Sequence, residues 1–456
     1  MSMTASSILD EYVRRTVRSR QLAEEARTCF PSGITHDARY FRPHPFYVER
    51  ASGSRKWDVD GNEYVDYVGG HGALLLGHAH PEVSEAVRQQ VPLGTHYGAC
   101  HELELGWAKS IQRLLPSAEL VRFTSSGTEA TMLAFRLARA FSGKQKIVRF
   151  TTHFHGWQDH AAFGVASHHD GTPTPGVLPE LAENVLLCPP DDLQKLADLF
   201  AQRNDIAAII MEPTGATWGQ IPLLPQVLTE LRELSSRHGV LLIFDEVVTG
   251  FRCSPGGAQG LFGITPDLTT LAKILAGGFP GGAIVGRRDI MELLDPDACQ
   301  SSGREKIPHQ GTFNANPVSA TAGITALGIV AESDACHRAS QYAAQLRDAL
   351  NRVIGSEGLD WSVYGTFSGF HIFMNPDHEA ITVADLDEGR VNFRKIKAAS
   401  GSPAAANLRL GLLVQGVDIS GWPGGITSAV HGDDDLQRTV AAFEETIRAM
   451  KQSGDL

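Results

Sequence analysis

Residues 239–252 read GVLLIFDEVVTGFR and residues 267–282 read DLTTLAKILAGGFPGG. Val240 to Phe244 is a continuous apolar run with no polar alternation, the pattern of a strand covered on both faces of a parallel sheet. Asp245 stands at its carboxyl end, where open α/β sheets gather their ligands. A second short strand, Leu268 to Leu271, leads to Lys273 and a Gly-Gly-Phe-Pro-Gly-Gly turn. Singly, the acid reads as a turn or capping residue and the lysine as a solvated side chain. Jointly, a carboxylate and an amine at such positions suit one pyridoxal phosphate (PLP) site. The lysine would hold the cofactor as a Schiff base, and the acid would keep its pyridine nitrogen protonated.

Working upstream, the segments 121–124, 146–150 and 206–211 are further short apolar strands, separated by helical stretches. Strands alternating with helices through about residue 290 predict an α/β fold with a large, doubly wound, mostly parallel sheet. After the first of these strands comes SSGTEATMLAFRLARAFSG (125–143), in which Ser126, Gly127 and Thr128 open a helix. The same residues would make an ordinary N-cap. A helix N-terminus with free N–H groups is also an anion site, here the candidate cradle for a cofactor phosphate. Phe154 and His155 lie beyond the end of the strand KIVRF (146–150), where an aromatic ring can stack on a flat cofactor. Glu212 ends the strand of residues 206–211 on the same crevice. The stretch 157–179 lacks periodicity and reads as a long loop of the kind that serves as a lid. HQGTFNANP (309–317) brings Thr312 and Asn314 after a glycine and opens a helix to about Glu332. No GxGxxG follows a strand, which disfavours a nicotinamide dinucleotide site.

Toward the ends the pattern changes. Residues 9–29 predict one amphipathic helix, and Phe46 to Tyr67 predicts antiparallel strands turning at Ser52-Gly53 and Asp60-Gly61-Asn62. Arg39, among His36, Asp37 and Tyr40, is either a surface arginine or a fork for a substrate carboxylate. His71, His78 and His80 have no acid or cysteine to complete a ligand set, so no metal site is expected. Beyond the large domain, 326–456 predicts a smaller α+β domain with strands at Ser368–Met374 and Asn407–Leu413, while 376–404 shows no clear pattern. The expected division is 1–75, helix and strands belonging to the small domain, 76–325, and 326–456.

Composition excludes other classes. The chain has 456 residues, 42% hydrophobic and 20% charged, with a formal net charge of −12. That size predicts more than one domain, and that charge, with no Lys/Arg block, argues against nucleic acid. No apolar run reaches the length of a membrane span. Six scattered cysteines without CxxC pairing predict reduced thiols and a cytoplasmic home.

Seven ordered segments carry a resemblance: DVDGNEYVDYVGG (58–70), LGHAHPEV (76–83), residues 125–143, FHGW (154–157), DEVVTGFR, LTTLAKILAGGFPGG and HQGTFNANP. Together they resemble the class III PLP-dependent aminotransferases, in the glutamate-1-semialdehyde 2,1-aminomutase branch. The resemblance implies fold type I and a homodimer with shared active sites. It implies Lys273 as the Schiff-base lysine and proton shuttle, and Asp245 as the partner of the pyridinium nitrogen. Val247 would pack on one ring face and Phe154, where many relatives carry Tyr, on the other. Ser126, Gly127 and Thr128 would hold the phosphate, Thr312 would reach over from the partner subunit, and Glu212 would lie near the cofactor hydroxyl. Arg39 matches the arginine that receives a substrate carboxylate. Departures stand beside this: Gly70-His71 replaces a Ser-Trp, and Trp422-Pro423-Gly424-Gly425 replaces a Phe-Glu-Ala-Gly-like segment. Losing an acid while gaining Trp and His points to an aromatic substrate with His71 at its wall. GGHGALLLGH, HQGTF, YGTFSGFH (364–371) and GVDISG look closer to the D-phenylglycine aminotransferase type. The expected activity is amino transfer from an amino acid to a 2-oxo acid; the alternative is the intramolecular aminomutase reaction.

Overall fold

In the computed structural model, which describes residues 5–456, the apolar runs form seven strands: β1 Leu120–Thr124, β2 Lys146–Phe150, β3 Val185–Cys188, β4 Ile206–Met211, β5 Leu241–Asp245, β6 Leu268–Ala272 and β7 Gly282–Gly286. They make one sheet in the order β1-β7-β6-β5-β4-β2-β3. Every neighbouring pair is parallel except those of β7, which runs antiparallel to both β1 and β6. All residues of β4 to β7 are buried. The reason is visible in the alternation along β4. Ala208 and Ile210 pack with Leu133 and Leu137 of helix α1 (Gly127–Ser142) on one face. Ile209 and Met211 pack on the other with Leu196, Phe200, Leu228 and Leu231 from the helices Leu193–Gln202 and Pro225–Arg237. A strand clothed on both faces needs apolar residues at every position, which is the doubly wound pattern read from the sequence. Each such fully buried side chain contributes about 1.5–3 kcal/mol of transfer free energy.

The chain divides into two compact units. The larger comprises Gly72–Leu74 and Pro81–Cys336; the smaller comprises the described residues up to His71, with Leu75–His80 and His337–Leu456. The expected change of domain at 325/326 falls inside the helix Pro317–Glu332, which stays whole in the larger unit. In the smaller unit, Val48–Ser52, Arg55–Asp58 and Glu63–Asp66 pair antiparallel as expected, and Val417–Asp418 adds a parallel strand. A second sheet joins Ser362–Tyr364, Gly369–Phe373 and Gly424–Ile426. Its core packs Val65, Tyr67, Phe370 and Ile372 against Leu346, Leu350, Phe443 and Ile447.

Three readings need correction. Residues 9–29 form two helices, Ala5–Arg15 and Val17–Ala26, broken at Thr16. The Thr16 hydroxyl is 2.6 Å from the Tyr12 carbonyl and 2.9 Å from His44 Nε2, so a side chain competes with the helical ladder there. Asn407–Leu413 is not a strand but part of the helix Pro403–Val414. Its start was legible: the Ser402 hydroxyl accepts from Ala405 N, and Pro403 occupies the first turn. Burial on most faces of that helix leaves its Leu-rich run without a clear helical period. Residues 376–404 hold two short capped helices, Val383–Asp387 behind Thr382 and Phe393–Ser400 behind Asn392. Among the described residues no helix is long and apolar enough to cross a membrane, and all six cysteines are free thiols.

The smaller unit buries one cation between two acids. Lys56 Nζ lies 2.9 Å from Asp66 Oδ1 and also pairs with Asp418, while His78 Nε2 lies 2.6 Å from Asp66 Oδ2. Burial alone would raise the Asp66 carboxyl; Lys56 and His78 outweigh it and hold the group well below the usual carboxylate range. Its contribution to stability is therefore present above the unfolded value, about 3.9, and is lost only as pH falls through the depressed folded value. Replacing Lys56 with Met removes the cation that two buried carboxylates share, leaving Asp66 with His78 and Asp418 with the more distant Arg409. The expected loss is roughly 3–5 kcal/mol in the smaller unit's denaturant-unfolding transition, and a loss below about 1 kcal/mol contradicts this role.

Candidate active site

Five strands of the larger unit deliver their carboxyl ends to one region. β1 leads into Ser125–Thr128, β2 into Phe154 and His155, β4 into Glu212, β5 into Asp245 and β6 into Lys273. A cavity of about 370 Å³ is lined there by Ser126, Gly127, Thr128, Phe154, His155, Asp245, Val247 and Lys273, all expected from the sequence. Ala73 and the turn Gly278–Gly281 complete much of its wall.

Asp245 is buried at the base. Its Oδ2 lies 2.7 Å from His155 Nδ1, and its Oδ1 accepts from the Thr270 hydroxyl at 3.2 Å and from Val247 N at 3.1 Å. His155 is buried as well, and burial lowers its basicity against the opposing pull of Asp245. Lys273 begins the turn after β6 with φ of 55°, the left-handed region that a side chain adopts only under strain, costing of order 1–3 kcal/mol. Burial pushes its ammonium below the ordinary lysine range; Asp245 and Glu212 oppose the shift and Arg252 adds to it. A depressed lysine offers more free amine near neutrality, as a nucleophile or proton carrier requires.

The phosphate end is the start of α1. Ser126 caps it, accepting from Glu129 N at 3.2 Å, so the helix dipole and its first N–H groups face the cavity. The packing needs glycine: a Cβ on Gly127 would meet the Val247 methyls at 2.9 Å, and one on Gly156 would meet the Thr128 hydroxyl at 2.5 Å. A cradle that tight, an acid, an amine and an anion-binding helix end in one cavity fit a flat, phosphorylated pyridine with a reactive carbonyl. PLP would be held by Lys273 at its carbonyl end, Asp245 at its nitrogen and Ser126–Thr128 at its phosphate.

Two expected residues of this unit lie outside the cavity lining. Glu212 Oε1 accepts from Phe154 N at 2.9 Å, bracing the aromatic residue. Thr312 is exposed, on the loop whose Asn314 accepts from the Ser125 hydroxyl at 3.1 Å. Arg39 and His71 belong to the smaller unit, where Arg39 Nη1 donates to the Thr35 hydroxyl at 2.8 Å and His71 stacks on His36 at 5.0 Å. Sequence reasoning missed Thr270, although a hydroxyl in a strand buried on both faces demands a partner. It also missed Thr131, whose hydroxyl donates to the His155 carbonyl at 2.7 Å, and Glu246, which accepts from Ala258 N, Gln259 and Thr249 beneath the site. A larger hollow of about 880 Å³ runs along the edge strand β3. Its cysteine, Cys188, is pushed up to about 12 by burial and is no nucleophile at neutral pH.

A family model described as Aminotransferase class-III matches residues 37–397. The chain is 36% identical to a glutamate-1-semialdehyde 2,1-aminomutase of Methanosarcina acetivorans over 94% of its own length and 98% of that protein. Among solved structures it is similar to an omega-transaminase from Sphaerobacter thermophilus (TM-score 0.84, 33% identity, 95% of this chain and 98% of that one). It is also similar to a glutamate-1-semialdehyde aminomutase from Pseudomonas aeruginosa (TM-score 0.81, 26% identity, 98% and 97%). A transaminase with PLP bound aligns at TM-score 0.83 and 32% identity over 96% and 99% of the two chains. Likeness of this extent, with the cavity above, makes the chain a member of the class-III aminotransferases, α/β enzymes of PLP fold type I whose cofactor is pyridoxal 5′-phosphate.

Proposed function

We propose that this enzyme moves an amino group from an amino acid to a 2-oxo acid, with Lys273 and Asp245 as its catalytic residues. The observation that carries the proposal is one cavity in which a depressed lysine and a buried, triply hydrogen-bonded carboxylate meet the N-terminus of α1. When bound, PLP supplies a conjugated ring that accepts the electron pair left on the substrate carbon. Lys273 Nζ would hold the cofactor between turnovers and, once released, would carry the proton from that substrate carbon to the cofactor carbon. Asp245 keeps a proton on the ring nitrogen. Ser126, Gly127 and Thr128 anchor the phosphate, Val247 and Phe154 flank the ring, and Glu212 steadies Phe154.

The enzyme would act as a homodimer in which Thr312 reaches the partner's cofactor. Phe154, Trp157 and Phe313, 57%, 79% and 61% exposed in one chain, support a covered face there. Arg39 would receive a substrate carboxylate and His71 would flank an aromatic side chain. Gly70-His71 and Trp422 in place of the aminomutase segments support that substrate. The second reading, glutamate-1-semialdehyde 2,1-aminomutase, draws on a specific observation as well: curated relatives at 36–41% identity carry that name. Those names support the intramolecular reaction more than the intermolecular one.

Lys273→Ala is expected to abolish turnover and the borohydride-fixable visible band of the purified protein; an active variant contradicts the assignment. Asp245→Asn is expected to lower kcat by about 10²–10³-fold with the cofactor still bound, the scale of losing one preorganised electrostatic contact. Half-reaction spectra with L- and D-amino acids, followed by 2-oxoglutarate, should show exchange between two cofactor bands. Product from semialdehyde alone, with no oxo acid present and no exchange with aromatic amino acids, selects the aminomutase instead.

A further inference from the structure

Beneath the loop carrying Phe154 and His155 lies a charge that the proposed reaction does not use. Arg149, on β2, is 0% exposed, and among the described residues no carboxylate stands within ion-pair reach of it. Its guanidinium faces main-chain carbonyls instead: Nη2 donates to the Phe163 carbonyl and Nη1 to the His153 carbonyl at 3.5 Å. It sits 5.0 Å from the Phe163 ring centroid, and its Nε has no partner. A cation taken out of water with no counter-charge is among the costliest groups a core can hold, and a neutral donor would serve two carbonyls at lower cost.

His155 is the neighbour such a charge affects. The carboxylate of Asp245 only accepts, so His155 Nδ1 carries the hydrogen between them. Its Nε2 is buried without a partner. In a neutral ring that nitrogen is a bare lone pair; in an imidazolium it becomes a buried N–H with nothing to receive it. The groups around the ring are Asp245 from the end of β5, Arg149 from β2, the His153 ring at 6.0 Å, and Thr131 of α1, with Lys273 and Glu212 the other titratable groups of the site. Burial is the largest force against a charge on this imidazole, Asp245 favours that charge, and Arg149 adds its repulsion to the effect of burial.

We propose that Arg149 is a positioning residue: it pins the 151–164 loop through two carbonyls and keeps His155 a neutral Nδ1–H donor, leaving the full charge of Asp245 for the cofactor's ring nitrogen. The inference rests on the role of Asp245 given above. Burial brings the guanidinium only down to about 10, so it stays charged at neutral pH. Were His155 to become cationic, Asp245 would neutralise the imidazolium rather than the pyridinium, and the ring would lose its proton more readily.

The test uses full-length holoenzyme labelled with [¹⁵N]histidine, the His155 signals assigned by their loss in His155→Asn. In the wild type and in Arg149→Lys, His155 is expected to stay neutral between about pH 5.5 and 8. In Arg149→Met it is expected to titrate within that window, and the acid limb of kcat/KM is expected to move up by about one pH unit, a tenfold loss on the acid side. Should the Met variant not fold, Arg149→Gln keeps donors for the carbonyls while removing the charge. A His155 that is already cationic at neutral pH in the wild type overturns the proposal. So does a neutral His155 in every folded variant, with activity falling equally at all pH values. Full activity in Asp245→Asn would instead sink the underlying reading, whatever the Arg149 variants show.

Discussion

The Asp245 carboxylate is the group on which the rest of the larger unit depends. A charge buried at the end of β5 is tolerable only if donors are fixed around it, and three are: the His155 ring, the Thr270 hydroxyl and the Val247 amide. Each comes from a different consequence of the fold. Thr270 lies opposite Asp245 because β6 runs parallel beside β5, with Thr270 in register with Asp245. His155 arrives because β2 ends at the same side of the sheet, and its carbonyl is tied to Thr131 of α1. Parallel strands bring their carboxyl ends together, so one sheet assembles acid, imidazole, amine and helix N-terminus without long loops to position them.

The strand ends also separate chemistry from support by simple alternation. Asp245 faces the cavity while its neighbour Glu246 turns the other way, accepting from Thr249, from Ala258 N and from Gln259. Thr270 serves Asp245, while Thr269 joins Gln259 and Ser117 beneath the site. Two consecutive acids thus have opposite environments: one lines the cavity, and burial raises the carboxyl of the other within a structural network. The smaller unit is built differently, around Lys56 held between Asp66 and Asp418.

Much of this was legible in the residues. Apolar runs such as 206–211 and 240–244 announce strands buried on both faces, and Asp245 after 240–244 with Lys273 after 268–271 points to the cofactor from sequence alone. What escaped reading depended on long-range contacts. Glu212 was expected near the cofactor hydroxyl; that it also braces the Phe154 amide is a relation across 58 positions that no local pattern encodes. The helix Pro403–Val414 was mistaken for a strand because burial on nearly all faces erases the 3.6-residue period that distinguishes the two. Arg149 in KIVRF carries no local mark of its burial, and only the fold places it out of reach of water.

The most direct measurement is a crystal structure of the borohydride-reduced holoenzyme. Continuous density from Lys273 Nζ into the pyridine ring, with an Asp245 oxygen at hydrogen-bond distance from the ring nitrogen, is the predicted result. A cofactor attached to another lysine, or a ring nitrogen facing away from Asp245, would contradict the account.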